Sequence, residues 1–160
     1  MANRYTVPVV RLFTVLMNLF AALSSLFQPA KPPVFISYDH SEDRRYRDLL
    51  CAWNANSKFV FGFERCSPMV AINSKQAAHI KAALAAMMAE ARYLLVIVGE
   101  KTHASRWIRW EITKAKKMNL KLVVIKLHKS NQTPYGLLNA GASFAYSFSQ
   151  QTVLQALEAA

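Results

Sequence analysis

The chain has 160 residues and a formal net charge of +11, with 53% hydrophobic and 18% charged residues. That length is sufficient for one domain with a hydrophobic core, and the sequence has no second block of periodic hydrophobicity that would indicate another domain. Cys51 and Cys66 have no metal-ligand spacing to the four histidines, so the sequence predicts free thiols and no metal site. Zinc-finger spacing, RNP-like motifs and heptad-backed basic regions are all missing, which makes nucleic acid only a secondary partner.

The first thirty residues are apolar and predict a helix of their own. Residues 7–27 carry a single charge, Arg11, and as a helix they would be about 30 Å long, close to the thickness of a bilayer core. Small and weakly polar residues recur on one stripe of that helix. This pattern fits a membrane anchor, an oligomerisation helix or, less well, a cleaved signal peptide. We predict this helix and a proline-rich linker over residues 1–30, and a globular domain over residues 31–160.

The globular part alternates predicted strands and helices. Alternation of this kind indicates an α/β fold with a parallel sheet that helices cover on both faces. The first helix is expected to begin at Ser41, with acidic residues in its first turn, and another at the N-cap Ser105. The expected strands are residues 34–38, 59–63, 93–98, 122–127 and 144–148.

Polar residues follow the first predicted strand, where ligands of open parallel sheets bind. They are Ser37, Tyr38, Asp39 and His40, and residues 65–68 follow the second strand in the same way. The strand ends have no Gly-rich phosphate loop and no G-x-S-x-G elbow. The sequence therefore excludes P-loop NTPases, Rossmann dehydrogenases and α/β-hydrolases.

Glu111 lies on the predicted helix that begins after Ser105. Ile108, Ile112 and Ala115 recur at spacings of four and three, so they form its core face. Glu111 is then expected at the border of that face, partly solvated. Taken alone, a mid-helix glutamate with Lys114 three residues later is also compatible with a surface ion pair.

Positive charge is concentrated around this helix. Residues 101–129 hold nine of the twenty Lys and Arg residues, and Glu111 is the only acid in that stretch. Such a segment attracts phosphate, which nucleic acid, anionic lipid or the pyrophosphate of a dinucleotide could supply. Net charge alone does not choose between them.

The globular part resembles a TIR domain, and most closely the bacterial and archaeal TIR-like proteins of Thoeris antiphage systems. The resemblance covers about residues 33–158, and its most specific motif is the W-[VI]-x-x-E-I core around Glu111. The matching segments are Val34-Phe-Ile-Ser-Tyr38, Phe61-Gly-Phe-Glu-Arg-Cys-Ser67, Leu95-Val-Ile-Val-Gly99, Ser105-Arg-Trp-Ile-Arg-Trp-Glu-Ile112 and Leu122-Val-Val-Ile125. It implies a flavodoxin-like sheet of order 2-1-3-4-5, with the N-terminal helix lying outside the family pattern.

The resemblance also implies an enzyme that cleaves NAD⁺, a glycohydrolase or cyclase with Glu111 as the catalytic glutamate. NAD⁺ is then the substrate, no further cofactor is required, and the product is an ADP-ribose-derived signal for a downstream effector. Such enzymes assemble, so a homo-oligomer or filament is expected, in the cytoplasm or membrane-associated through residues 7–27. The expected substrate-binding residues are Phe35, Ser37, Tyr38 and His40 on the nicotinamide side, Trp107 against a base, and Arg44 or Arg106 at the pyrophosphate.

A second function class stays open. In it the domain is a non-catalytic TIR interaction module, clustered or anchored by the N-terminal helix. Glu111 and its basic neighbours, among them Arg109 and Lys114, would then form a protein contact. Turnover of NAD⁺ at high protein concentration distinguishes the two classes.

Overall fold

The computed structural model describes residues 14, 15, 17–19, 31–55, 60–66 and 76–160, with the side chains of residues 64–66 excepted. The chain divides into two units, Met1–Ala30 and Lys31–Ala160. In the first unit the described residues are helical and exposed. The remainder of the predicted helix over residues 7–27 lies outside the described residues, so its role as anchor or oligomerisation helix stays a prediction. Across the described ranges, no helix is long and apolar enough to cross a bilayer.

The second unit alternates strands and helices from its first element to its last. The strands are β1 (Pro33–Ser37), β2 (Gly62–Cys66), β3 (Tyr93–Val98), β4 (Lys121–Lys126) and β5 (Ser143–Ala145). The helices are α1 (Arg44–Asn54), α2 (Ala77–Ala89), α3 (Arg106–Lys117) and α4 (Gln150–Glu158), and short 3-10 turns lie at Thr102–Ala104 and Tyr135–Leu137.

The five strands form one sheet of order β2-β1-β3-β4-β5, and all the pairings are parallel. The predicted α/β class and strand order are therefore confirmed. The sequence order reverses between β1 and β3, which lie side by side with Ser37 opposite Val96. Ligand crevices of doubly wound sheets open at such a reversal, beyond the carboxyl ends of the strands.

Each face of the sheet has its own apolar core, and β3 is buried along its whole length. One face carries Val34 and Ile36 together with residues of α1 and α4. The other carries Phe35 together with residues of α2 and α3. Because successive side chains of a strand point to opposite faces, β1 contributes to both cores, and Ser37 lies on the same side as Phe35.

Three predicted boundaries are wrong by a few residues. The second strand was expected at residues 59–63, but pairing with β1 starts at Gly62, whose amide donates to the Pro32 carbonyl at 3.1 Å. Of the residues expected to begin this strand, Val60 is exposed, Phe61 is buried without pairing to β1, and residue 59 lies outside the described part of the chain. The fifth strand ends at Ala145 because the chain turns at the exposed Tyr146. The first helix begins at Arg44, after the N-cap Asp43, and not at Ser41.

Candidate functional site at the end of the first strand

Ser37 and Glu111 meet at the carboxyl end of β1. The Ser37 hydroxyl donates a hydrogen bond to Oε2 of Glu111 at 2.5 Å, and both residues are entirely buried. Ser37 is the last residue of β1, whereas Glu111 is in the middle of α3. Two residues that the sequence singled out separately therefore form one buried polar contact at the expected crevice.

The helix that carries Glu111 is held in register by its cap and its apolar face. The Ser105 side chain accepts a hydrogen bond from the Ile108 amide at 3.4 Å, as predicted for the N-cap. Ile108, Ile112 and Ala115 are buried against the sheet, which confirms the predicted core face. With these positions fixed, the helical period turns Glu111 toward the β1 side of α3.

The predicted half-solvated position of Glu111 is wrong, because the carboxyl group is entirely buried. Helical periodicity marks the side of α3 that faces the sheet, but it does not show what covers the border of that side. Here the end of β1 covers it, and the Ser37 hydroxyl supplies a hydrogen bond that offsets part of the cost of burying a carboxyl group.

Tyr38 and His40 form a ring pair just beyond β1. Their ring centroids are 4.2 Å apart with an interplanar angle of 47°. Tyr38 is buried in the core on the α1 and α4 face of the sheet, while His40 is half-buried. The guanidinium carbon of Arg47 lies 5.7 Å from the centre of the Tyr38 ring. The tyrosine therefore packs on the opposite side of β1 from the contact between Ser37 and Glu111.

The other predicted substrate-binding residues lie in three different environments. Phe35 is entirely buried in the core that also contains Ile108 and Ile112. Trp107 is half-buried, with its ring perpendicular to that of Trp110 at 5.9 Å. Arg44 is exposed at the start of α1, where Nε lies 4.0 Å from Oδ2 of Asp48. Of this set, Phe35 belongs to the α3-facing core and Trp107 packs against it, on the same face of the sheet as the Ser37–Glu111 contact.

Asp43 was not predicted, yet it is one of the few buried charged residues described. Its side chain does not cap α1 but points to the turn after β3. The Thr102 hydroxyl lies 3.4 Å from Oδ2 of Asp43 and accepts a hydrogen bond from the Gly99 amide at 2.8 Å. A side chain built on Gly99 would place its Cβ 2.7 Å from Cγ of Asp43, which explains a glycine there.

Burial raises the pKa of Asp43 to about 6 from its ordinary value of 3.8, and the neighbouring negative charge of Asp39 adds to the rise. Hydrogen bonds from Thr102 and Gly99 lower the pKa and offset part of this effect. Asp43 thus ties the loop after β1 to the turn that precedes α3. In sequence, an aspartate just before a helix indicates an acidic first turn, but the first turn of α1 has no acidic residue and Asp43 is its N-cap residue.

The donor groups of the described residues do not form a metal site. Within those residues, no cluster of three or more His, Cys, Asp or Glu side chains is placed to hold an ion. Cys51 is a free thiol whose Sγ donates to the carbonyl of Phe63 at 3.2 Å. The side chain of Cys66 lies outside the described part of the chain.

A doubly wound sheet of this order, with a helix-borne glutamate at the end of its first strand, is the arrangement expected for a TIR-like domain. The family model described as Thoeris protein ThsB, TIR-like domain, matches residues 35–132, so the chain belongs to this family. The match includes both Ser37 and Glu111, and it makes the protein a TIR module of antiphage defence. A comparison with curated proteins finds no match.

Proposed function

We propose that the protein cleaves the bond between nicotinamide and ribose in NAD⁺, with Glu111 as the catalytic carboxylate. The observation that carries the proposal is the 2.5 Å hydrogen bond between Ser37 and Glu111 at the carboxyl end of β1. Ligands of doubly wound sheets bind at that edge. Family membership adds support, because the matched region contains both residues.

One carboxylate is enough for this reaction. The nicotinamide of NAD⁺ is cationic and leaves as a neutral molecule when the C1′–N bond breaks with its electron pair, so no acid has to protonate it. Ordinary glycosides need a second carboxyl group for that step. Glu111 would bind the ribose hydroxyls and stabilise the oxocarbenium-like transition state by its negative charge. Water, a hydroxyl of the same molecule or another acceptor then captures the ribosyl cation.

Ser37 has a positioning role in this scheme. Its hydroxyl holds Oε2 of Glu111 at the strand end, which fixes the carboxylate before substrate arrives. Because Glu111 is entirely buried, NAD⁺ can reach it only if the crevice opens on binding. Phe35 and His40 would line the nicotinamide side, Trp107 would stack on a base, and Arg44 or Arg106 would bind the pyrophosphate. Tyr38 packs on the opposite side of β1 and takes no part in this lining.

The test compares wild-type protein with Glu111→Gln. Concentrated protein is incubated with NAD⁺ over a range of protein concentrations, with and without anionic lipid vesicles, and products are identified by mass spectrometry. We expect nicotinamide release from the wild type and a loss of at least about 100-fold in Glu111→Gln. The matched control is Glu158→Gln, the same change at an exposed position of α4. Undiminished release by Glu111→Gln would refute the mechanism.

The second candidate is a non-catalytic TIR interaction module. Complete burial of Glu111 against Ser37 favours it, since a buried and hydrogen-bonded carboxyl group can serve the fold alone. In that case the wild type releases no nicotinamide at any concentration. Charge reversal at Arg109 or Lys114 would then abolish self-association, as measured by sedimentation.

A further inference from the structure

A groove lies between α3 and the 3-10 turn at Tyr135–Leu137, with a volume of about 620 Å³. Its apolar lining includes the buried Ile112 and Pro134. Two large side chains at its rim face water, because Tyr135 is 90% exposed and Leu138 is 49% exposed. Exposed apolar groups beside a groove of this size provide an anchoring surface for a partner side chain.

The charge around the groove is positive. Arg109 lines it, and Lys116 borders it through a hydrogen bond from Nζ to the Gly136 carbonyl at 3.4 Å. Glu111 is the only acid between residues 101 and 129, and it is entirely buried. Throughout that stretch, no acidic side chain competes with a ligand for these cations.

The groove and the proposed catalytic carboxylate lie on different flanks of α3. At about 100° per residue, Arg109 is about 200° around the helix axis from Glu111. Ile112 and Thr113 line the groove on the Arg109 flank, whereas Glu111 contacts β1. A ligand in the groove therefore does not cover the end of β1 where Glu111 lies.

We propose that this groove binds an acidic protein segment that carries an aromatic or large aliphatic side chain. Charge complementarity selects that partner over a second copy of the chain, because the chain has nine Asp and Glu residues against twenty Lys and Arg and offers few acidic groups to this groove. The single exposed aromatic at the rim also differs from the rows of stacking aromatics that single-stranded nucleic acids require. The apolar side chain fills the groove beside Tyr135, and the acidic residues meet Arg109 and Lys116.

The test uses fluorescence anisotropy of a labelled peptide in which glutamates are interspersed with phenylalanine and leucine. Polyglutamate of equal length and a single-stranded oligonucleotide serve as competing probes. We expect Arg109→Glu and Tyr135→Ala each to weaken peptide binding by at least about tenfold. Arg45→Glu is the matched control, since it makes the same change at an exposed position of α1, which packs on the opposite face of the sheet from α3.

The outcomes separate this proposal from its alternatives and from the proposed enzyme. Glu111→Gln should bind the peptide as wild type does, whatever its effect on NAD⁺. Equal binding of polyglutamate or the oligonucleotide, or an equal loss in Arg45→Glu, would show that general positive charge accounts for the binding, and would overturn the proposal. Absence of peptide binding to wild type would also overturn it. A loss of self-association in Tyr135→Ala without peptide would do the same, because it would assign the groove to a second copy of the chain. Matching thermal unfolding curves verify that the variants are folded.

Discussion

The Ser37 hydroxyl and Oε2 of Glu111 are joined by a 2.5 Å hydrogen bond across 74 residues of sequence. This bond links the end of β1 directly to the middle of α3, across the point where the strand order reverses. It therefore serves two purposes at once: it supplies a donor to one oxygen of a buried carboxyl group, and it sets the orientation of the residue proposed to act on NAD⁺.

Removal of the Ser37 hydroxyl should destabilise the fold. Ser37→Ala leaves Oε2 of Glu111 without this donor in a buried position, and we expect the free energy of unfolding to fall by about 1–3 kcal/mol. Urea denaturation measures the loss. Ser147→Ala, at an exposed position, should change stability by less than about 0.5 kcal/mol. Equal stability of Ser37→Ala and wild type would show that the bond contributes nothing to the fold.

The sequence was sufficient for the architecture of the globular part. The apolar run of β3 and the spacing of Ile108, Ile112 and Ala115 are local signals, and they gave the buried strand and the core face of α3. The strand order came from the resemblance to TIR domains, since alternation alone gives a parallel sheet without an order. The match of the family model agrees with that resemblance.

The details of the site depended on neighbours that periodicity does not encode. The burial of Glu111 comes from Ser37 on β1, and that of Asp43 from Gly99 and Thr102 after β3. These contacts join segments that are distant in the chain. Likewise, Tyr38 lies on the opposite side of β1 from Ser37, because successive residues of a strand alternate faces. Its position just after Ser37 in the sequence therefore does not place its side chain at the crevice.

Asp43 should make stability depend on pH. Its pKa is about 6 in the folded protein against an ordinary value of 3.8, so the folded state binds the proton more tightly than the unfolded state. The stabilisation from this proton is complete below pH 3.8 and is lost as the pH rises through 6. At about 1.36 kcal/mol per pKa unit, the ionised group costs roughly 2–3 kcal/mol at neutral pH.

Asp43→Asn isolates that effect. Between pH 4 and pH 8, wild type should lose roughly 2–3 kcal/mol of unfolding free energy that Asp43→Asn does not lose. Asp48→Asn is the matched control, the same substitution at an exposed position of α1. Denaturant titrations at both pH values provide the numbers. A pH-independent difference for Asp43→Asn would mean that the carboxyl group titrates normally.

Gly99→Ala should be costly because of Asp43 specifically. The added Cβ would lie 2.7 Å from Cγ of Asp43, so one of the two segments must shift. We expect a loss of at least about 2 kcal/mol in wild type and a much smaller loss in an Asp43→Ala background. Gly62→Ala is the matched control, since its Cβ would meet no described neighbour closer than 3.7 Å. Equal losses in both backgrounds would place the strain elsewhere.

Arg44 offers a test of how the substrate is bound, separate from the chemical step. The guanidinium is exposed and only 4.0 Å from Asp48, and an exposed pair of this kind contributes little to stability. If Arg44 binds the pyrophosphate of NAD⁺ in both ground and transition states, Arg44→Ala should raise KM by about tenfold while kcat is unchanged. Arg45→Ala removes the neighbouring charge, and steady-state kinetics compare the two variants. An equal rise in KM for both variants would indicate general electrostatic attraction of NAD⁺. A fall in kcat for Arg44→Ala alone would place this residue nearer the reacting ribose than proposed.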